Sequence, residues 1–314
     1  MKTQLIGRSS LVSTRLNYGN MRVAGGWDPA KVTPENESAG RAAIHTAYEV
    51  GITHFDTADI YCRGVCEKIL GDTLREVRGM RERIIVTTKV GIRFPDEPNP
   101  GAPHRYDFSA EHILASCDRS LKRIGIDTID LYLLHRPDML MDPHEIAPAF
   151  DKLRAAGKVR EFGVSNFKPS LMSMLQKHLN VTIVCNQVKV NPAHMDPMYD
   201  GTFDWCIENN VTPQAWSPMA AGLMGAGAEP KPDNPRREGL MSLVSIMDEI
   251  AKARETTRDV IALAWLLKHP AKIMPVIGTS KPDRIRAQAK ADEIELTRDE
   301  WYKIFVAARM KKLP

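Results

Sequence analysis

Short apolar runs rich in β-branched residues alternate with longer amphipathic runs along most of the chain. Thr53-His54-Phe55 leads into Asp56, and helical spacing follows from about Cys66 to Val77. Arg83–Lys89 reads as a buried strand. Ser109–Arg123 reads as a helix, with Ser109 as N-cap and Gly125 as stop signal. Further strands are expected at Thr128–Leu134, Val159–Val164, Thr182–Asn186, Val211–Trp216 and Ile273–Ile277. Helices are expected at Pro143–Ala156, Pro169–His178, Asp200–Asn209, Asp259–Lys268 and Pro282–Ala291. Near the N-terminus, Met21–Ala24 is the expected first strand and Glu35–Val50 the first helix; extra helices are expected at Leu240–Arg254 and Thr297–Ala308.

Regular strand–helix alternation implies a parallel sheet. About eight such units predict an α/β chain folded as a closed (β/α)8 TIM barrel with extra helices, one domain over residues 1–314. An open sheet binding a dinucleotide would carry GxGxxG after its first strand, and no such run is present. Two Pro- and Gly-rich stretches, Ile92–Asp107 and Ser217–Gly239, each follow an expected strand. In a barrel such loops sit on the C-terminal face, where active sites are built.

With 43% hydrophobic and 26% charged residues, the chain can form a core and is not disordered. Lys+Arg 43 against Asp+Glu 39 leaves +4, without a basic block and with only 6% aromatics, which argues against a nucleic-acid partner. Cys62, Cys66, Cys117, Cys185 and Cys206 form no CxxC and suit free thiols in a reducing cytosol. The longest apolar run, Val260–Leu267, is too short to span a bilayer. The N-terminal stretch carries Lys2, Arg8, Arg15, Arg22 and Asp28 without an apolar signal region. A soluble, cytoplasmic protein with no membrane or nucleic-acid partner is expected.

The informative feature is where polar residues fall. Asp56, Lys89 and His135 end or follow successive strands, and Tyr61 lies just beyond Asp56. Ser165, Asn166, Gln187, Trp216, Ser217, Gly278, Thr279 and Ser280 follow or end later ones. Each alone has a bland explanation: a turn cap, a wet tyrosine, a surface lysine, a satisfied core histidine. Brought to one barrel mouth, Asp, Tyr, Lys and His make an acid–base device. A tyrosine titrates near 10 and is a weak acid. An adjacent ammonium favours the phenolate, so Tyr61 is expected to have a lowered pKa, with Asp56 the counter-charge for Lys89. His135 can donate to a carbonyl oxygen. The set suits carbonyl reduction but lacks a hydride source, which a nicotinamide cofactor supplies. His54, His135 and Asp56 are too few to make a metal site.

The chain resembles the aldo-keto reductase family. The resemblance rests on Phe55-Asp56-Thr57-Ala58-Asp59-Ile60-Tyr61, Thr88-Lys89, Leu134-His135-Arg136-Pro137-Asp138 and Gly157-Lys158-Val159-Arg160. It continues through Phe162-Gly163-Val164-Ser165-Asn166-Phe167, Asn186-Gln187-Val188 and Trp216-Ser217-Pro218. Gly19-Asn20-Met21-Arg22, the His135–Asp138 turn and Asp200-Gly201-Thr202 look like the bacterial YdhF-type branch. The resemblance implies an NADP(H)-dependent reductase of a small aldehyde or ketone, with Tyr61 as general acid, tuned by Lys89 and Asp56, and His135 orienting the carbonyl. It implies Ser165, Asn166 and Gln187 at the nicotinamide carboxamide and Trp216 stacked on the ring. Ser217, Pro218, Met219, Gly222 and Leu223 would cover the pyrophosphate. Gly278, Thr279 and Ser280 would hold phosphate, Arg284 the 2′-phosphate and Gln288 the adenine.

Three departures from the family pattern matter: Gly278 stands where many NADPH-preferring members have lysine, Cys62 follows Tyr61 where glycine is common, and the chain closes soon after its last expected helix. Trp27 and His104 are further expected pocket residues beside Tyr61 and Trp216. The alternative reading is an NADPH-binding sensor or partner-regulating module, as potassium-channel β subunits resemble.

Overall fold

The computed structural model describes residues 1–311 and 313. An N-terminal hairpin, β1 (Thr3–Leu5) and β2 (Val12–Thr14), comes first. Strand–helix units follow: β3 (Asn17–Gly19), α1 (Pro34–Glu49), β4 (His54–Asp56), α2 (Val65–Glu76) and β5 (Ile85–Val90). After β5, a hairpin of β6 (Ile92–Arg93) and β7 (Arg105–Tyr106) precedes α3 (Ala110–Ile124). The series continues through β8 (Ile129–Leu134), α4 (Pro143–Ala155), β9 (Val159–Ser165), α5 (Pro169–His178), β10 (Ile183–Lys189), α6 (Thr202–Asn209) and β11 (Thr212–Trp216). It ends with α7 (Arg237–Ala253), α8 (Arg258–Leu267), β12 (Met274–Ile277), α9 (Pro282–Ala289) and α10 (Arg298–Arg309). Eight parallel strands close in the order β3-β4-β5-β8-β9-β10-β11-β12. The expected (β/α)8 barrel with extra helices is the fold.

The expected caps act as such: the Ser109 side chain accepts from the His112 N–H, and Gly125 ends α3 at φ 74°. The first strand is a correction. Met21–Ala24 is not a strand; Asn20–Arg22 is a short 3-10 turn, and Val23 and Ala24 are buried in the layer under the helices. The strand is Asn17–Gly19. Its alternation sends Leu16 and Tyr18 out to the helix layer, and hence Asn17 and Gly19 into the barrel. A Cβ on Gly19 would stand 2.9 Å from Val276 Cγ1, so β3 can approach β12 this closely only with glycine.

The N-terminal hairpin, not anticipated from the sequence, plugs the barrel floor. Ile6 and Leu11 pack with Ile85, Leu131, Leu133, Val184, Cys185 and Met274. Gly7, at φ 53°, passes so near Val184 that a Cβ would meet its carbonyl oxygen at 2.4 Å. The inward positions on β5 therefore read Ile85, Thr87, Lys89 from floor to mouth, and on β8 Leu131, Leu133, His135. An apolar floor supports a polar mouth. Among the described residues no helix is long and apolar enough to cross a membrane. The segment after the last expected helix includes Lys312 and Pro314, which lie outside the described residues.

His54, at the inner face of β4, is fully buried. Ser13 donates its hydroxyl to Thr14 O, so His54 Nδ1–H donates to Ser13 Oγ (3.0 Å) and Nε2 accepts from Thr87 Oγ1 (2.6 Å). Burial, helped by the Lys89 charge, lowers its pKa to about 3. The unfolded chain takes up this proton near 6.5, so the stability from neutral His54 is complete above that pH and is lost as pH falls toward 3. Urea unfolding midpoints should therefore drop from pH 7 to pH 5, and less steeply for His54→Gln. Equal slopes in the two proteins would contradict this.

Candidate active site

The mouth is organised around one buried cation. The Lys89 side chain has 0% exposure and all three ammonium protons have partners. Nζ donates to Asp56 Oδ1 (2.5 Å), to Thr57 O (2.8 Å) and to Tyr61 OH (3.2 Å). Burial pulls its pKa down, but the Asp56 carboxylate and the Tyr61 oxygen outweigh it, and the ammonium is held above its ordinary value. Asp56 is fixed from its other side by Gln187 Nε2 (2.8 Å to Oδ2), which also donates to Gln214 Oε1 (3.0 Å).

Tyr61 begins a 3-10 turn bent sharply by Cys62 (φ 46°) and Arg63 (φ 50°). Burial raises its pKa, and Lys89 opposes that rise without reversing it. The expectation of a lowered pKa is thus corrected: desolvation of the phenolate outweighs the ammonium beside it. The residue is a neutral phenol aimed at the mouth. The His135 ring lies edge-on to it, with centroids 5.8 Å apart. His135 is buried, and burial together with Lys89 and Arg136 holds its pKa well below 6.5. Its Nδ1 has no partner, so it is not a satisfied core histidine. Trp27 meets Tyr61 edge-on at 6.0 Å, whereas His104 packs against Tyr106 in the β6–β7 hairpin.

The opposite wall is a relay of side chains at the ends of β9, β10 and β11. Ser165 donates to Gln187 O (2.8 Å), Asn166 Nδ2 to Ser165 Oγ (2.7 Å) and Trp216 Nε1 to Asn166 Oδ1 (2.8 Å). The loop after Trp216 takes left-handed backbone at Ser217, Ala220, Ala221 and Gly222. Asn191 holds it by donating to Ser217 O, and the buried Arg258 by donating to the carbonyls of Leu223, Gly225 and Ala228. Pro218, Met219 and Leu223 lie in this loop. Beyond the neighbouring strand β12, Tyr18 OH donates to Thr279 O (3.1 Å), fixing the Gly278-Thr279-Ser280 turn before α9.

A model of the aldo/keto reductase family matches residues 15–307. The chain belongs to the aldo/keto reductase family. It is 41% identical over 272 residues to the oxidoreductase YcsN of Bacillus subtilis, covering 86% of this chain and 88% of that protein. It is 36% identical over 301 residues to a 6-dehydroglucose reductase of Agrobacterium fabrum, covering 96% of each. To the Escherichia coli oxidoreductase YdhF it is 35% identical over 269 residues, 84% of this chain and 86% of that one, consistent with the expected branch. The crystal structure of the thermostable aldo-keto reductase Tm1743 superposes with TM-score 0.82 at 27% identity, over 98% of this chain and 100% of that one.

Members of this family use a nicotinamide dinucleotide, and the mouth fits one. Helix α9 begins at Pro282 with no side-chain cap from Lys281, leaving its first N–H groups for an anion. Arg284 is exposed one turn in, with no carboxylate partner among the described residues. Gln288 is buried; its Nε2 donates to Asp259 Oδ2 (3.1 Å) while Oε1 has no partner. Asn20, at the mouth end of β3, is also buried with both amide atoms unpaired.

The sequence reading missed Asn20, Gln214 and Arg258. Asn20 follows Asn17–Gly19, the strand that the apolar pattern does not reveal. The other two sit in apolar or ordinary helical surroundings that carry no signal.

The Lys89–Asp56 pair is a buried ion pair, so removing one partner is costly. Lys89→Met should lower unfolding free energy by roughly 3–5 kcal/mol at pH 8. Adding Asp56→Asn should recover part of that loss. Denaturant titration of the wild type, Lys89→Met, Asp56→Asn and the double variant tests this; no recovery in the double variant would mean Asp56 is not the counter-charge.

Proposed function

We propose that the protein is an NADP(H)-dependent oxidoreductase that reduces an aldehyde or ketone to an alcohol. The observation that carries the reading is the neutral Tyr61 phenol, held by a fully buried and compensated lysine at the barrel mouth. When bound, the reduced nicotinamide supplies the hydride. Tyr61 gives its proton to the carbonyl oxygen as negative charge gathers there. Lys89 lowers the cost of the phenolate left behind, and Asp56, fixed by Gln187, keeps Lys89 charged and in place. Neutral His135 donates to the same oxygen and orients it.

Ser165, Asn166 and Gln187 are the partners assigned to the carboxamide, and Trp216 to the ring face. Because both Gln187 Nε2 protons are engaged, this residue meets the carboxamide as an acceptor through Oε1. The loop from Ser217 to Leu223, the Gly278–Ser280 turn and the α9 N-terminus are assigned to the phosphates, Arg284 to the 2′-phosphate and Gln288 to the adenine. Five free, buried thiols support a reducing, cytoplasmic setting. Similarity to a 6-dehydroglucose reductase supports a small polar carbonyl compound as substrate.

Tyr61→Phe should reduce carbonyl turnover by about two or more powers of ten while NADPH binding changes little. Near-wild-type steady-state turnover would refute Tyr61 as the acid. Arg284→Ala should weaken NADPH binding by roughly tenfold to a hundredfold and leave NADH almost unaffected, since a guanidinium–phosphate contact contributes about 1.5–3 kcal/mol. A Cβ at Gly278 would meet only Gly19 O, at 3.5 Å, so Gly278→Lys should fold normally and strengthen NADPH preference. Fluorescence titration with both cofactors checks both substitutions; equal losses for NADPH and NADH in Arg284→Ala would refute its assignment.

A further inference from the structure

We propose that Arg136 and Lys189 form a subsite for an anionic group, a carboxylate or a phosphate ester, carried by the carbonyl substrate. The proposal rests on the reductase reading and narrows its substrate class.

Arg136 directly follows His135 at the end of β8 and is half-buried. Its guanidinium carbon lies 5.0 Å from the Trp216 ring centroid, and Lys189 Nζ lies 5.8 Å from the same centroid. Lys189 is the register partner of Trp216 across β10 and β11, so both cations reach one aromatic wall of the mouth. Neither cation has a hydrogen bond or a carboxylate partner among the described residues. Comparable arginines are paired: Arg15 with Asp292, Arg81 with Asp130, Arg93 with Asp107, Arg123 with Glu67 and Arg258 with Asp248. The nearest acid in sequence, Asp138, spends its oxygens on the backbone N–H groups of Phe108 and Leu140.

The charge of Lys89 is absorbed by Asp56, and Tyr61 and His135 are neutral, so Arg136 and Lys189 leave the mouth with uncompensated positive charge. An aromatic face alone compensates a half-buried guanidinium weakly; an oxyanion does so with two parallel charge-assisted hydrogen bonds. The cofactor's phosphates do not account for Arg136. In the closed order of strands, β8 stands diametrically opposite β12 and three places from β11, the strands followed by the turns assigned to the phosphates; Lys189, on β10, is the nearer of the two cations to them. Arg136 instead adjoins His135, whose ring meets Tyr61 edge-on.

The test is a matched substrate panel at saturating NADPH. It compares 4-oxobutanoate with butanal, and glyceraldehyde 3-phosphate with glyceraldehyde, for wild type, Arg136→Met and Lys189→Met. NADPH dissociation constants are measured in parallel by fluorescence. Wild type should prefer at least one anionic member over its neutral partner, and the preferred arm identifies carboxylate or phosphate. Arg136→Met should lower that anionic-to-neutral ratio of kcat/KM by roughly tenfold to a hundredfold, chiefly through KM, and Lys189→Met by a smaller factor in the same direction.

A wild-type preference for both neutral members would overturn the subsite, as would an unchanged ratio in Arg136→Met. So would a loss of NADPH affinity in Arg136→Met matching its loss of kcat/KM. Turnover of the neutral aldehydes in any of these cases leaves the reductase reading standing. No turnover of any member with NADPH or NADH removes both.

Discussion

A lysine ammonium with no exposed surface must be compensated inside the protein, and the mouth of this barrel is built around that requirement. Three acceptors surround Lys89 Nζ: a carboxylate, a carbonyl and a phenol. The carboxylate and the carbonyl satisfy the charge. The phenol is the partner that faces the open mouth, so the residue able to do chemistry is also the one whose proton the ammonium influences. Gln187 and Gln214 extend the same network across the barrel, which ties β4 and β5 to β10 and β11. The site and the closure of the barrel are therefore one set of interactions.

That arrangement depends on the period-2 alternation of short, buried strands. On β5 and β8 the inward positions pass from apolar floor to polar mouth within three steps. The N-terminal hairpin seals the floor with Ile6 and Leu11, so the polar network opens toward the loops and not through the barrel. The loop after β11 is long and irregular, but Arg258 holds three of its carbonyls from beneath. A loop fixed in this way presents backbone groups to a ligand in a prepared conformation, which reduces the ordering cost of binding.

Much of this was legible because the signals were local. Ser109 and Gly125 mark the ends of α3 by their own backbone chemistry. Asp56, Lys89 and His135 stood out as polar residues ending apolar runs. The first barrel strand was not legible: with Asn17 and Gly19 turned inward, it shows only Leu16 and Tyr18 as apolar positions, while the more apolar Met21–Ala24 run is a turn packed under helices. The direction of the Tyr61 pKa was misjudged because adjacency to Lys89 can be inferred from strand order, whereas the depth of burial that outweighs it cannot. Arg136 and Arg258 look like ordinary surface arginines in the sequence; only their surroundings separate a cation left without a partner from one that holds a loop.

Tyr61 rests as a neutral phenol beside a charged lysine, ready to donate a proton. Ultraviolet difference spectra between wild type and Tyr61→Phe, recorded from about pH 6 to about pH 9.5, report this protonation state. No phenolate band assignable to Tyr61 should appear anywhere in that range. A Tyr61-dependent phenolate band rising near neutral pH would show that the ammonium outweighs burial, and would contradict a neutral resting phenol.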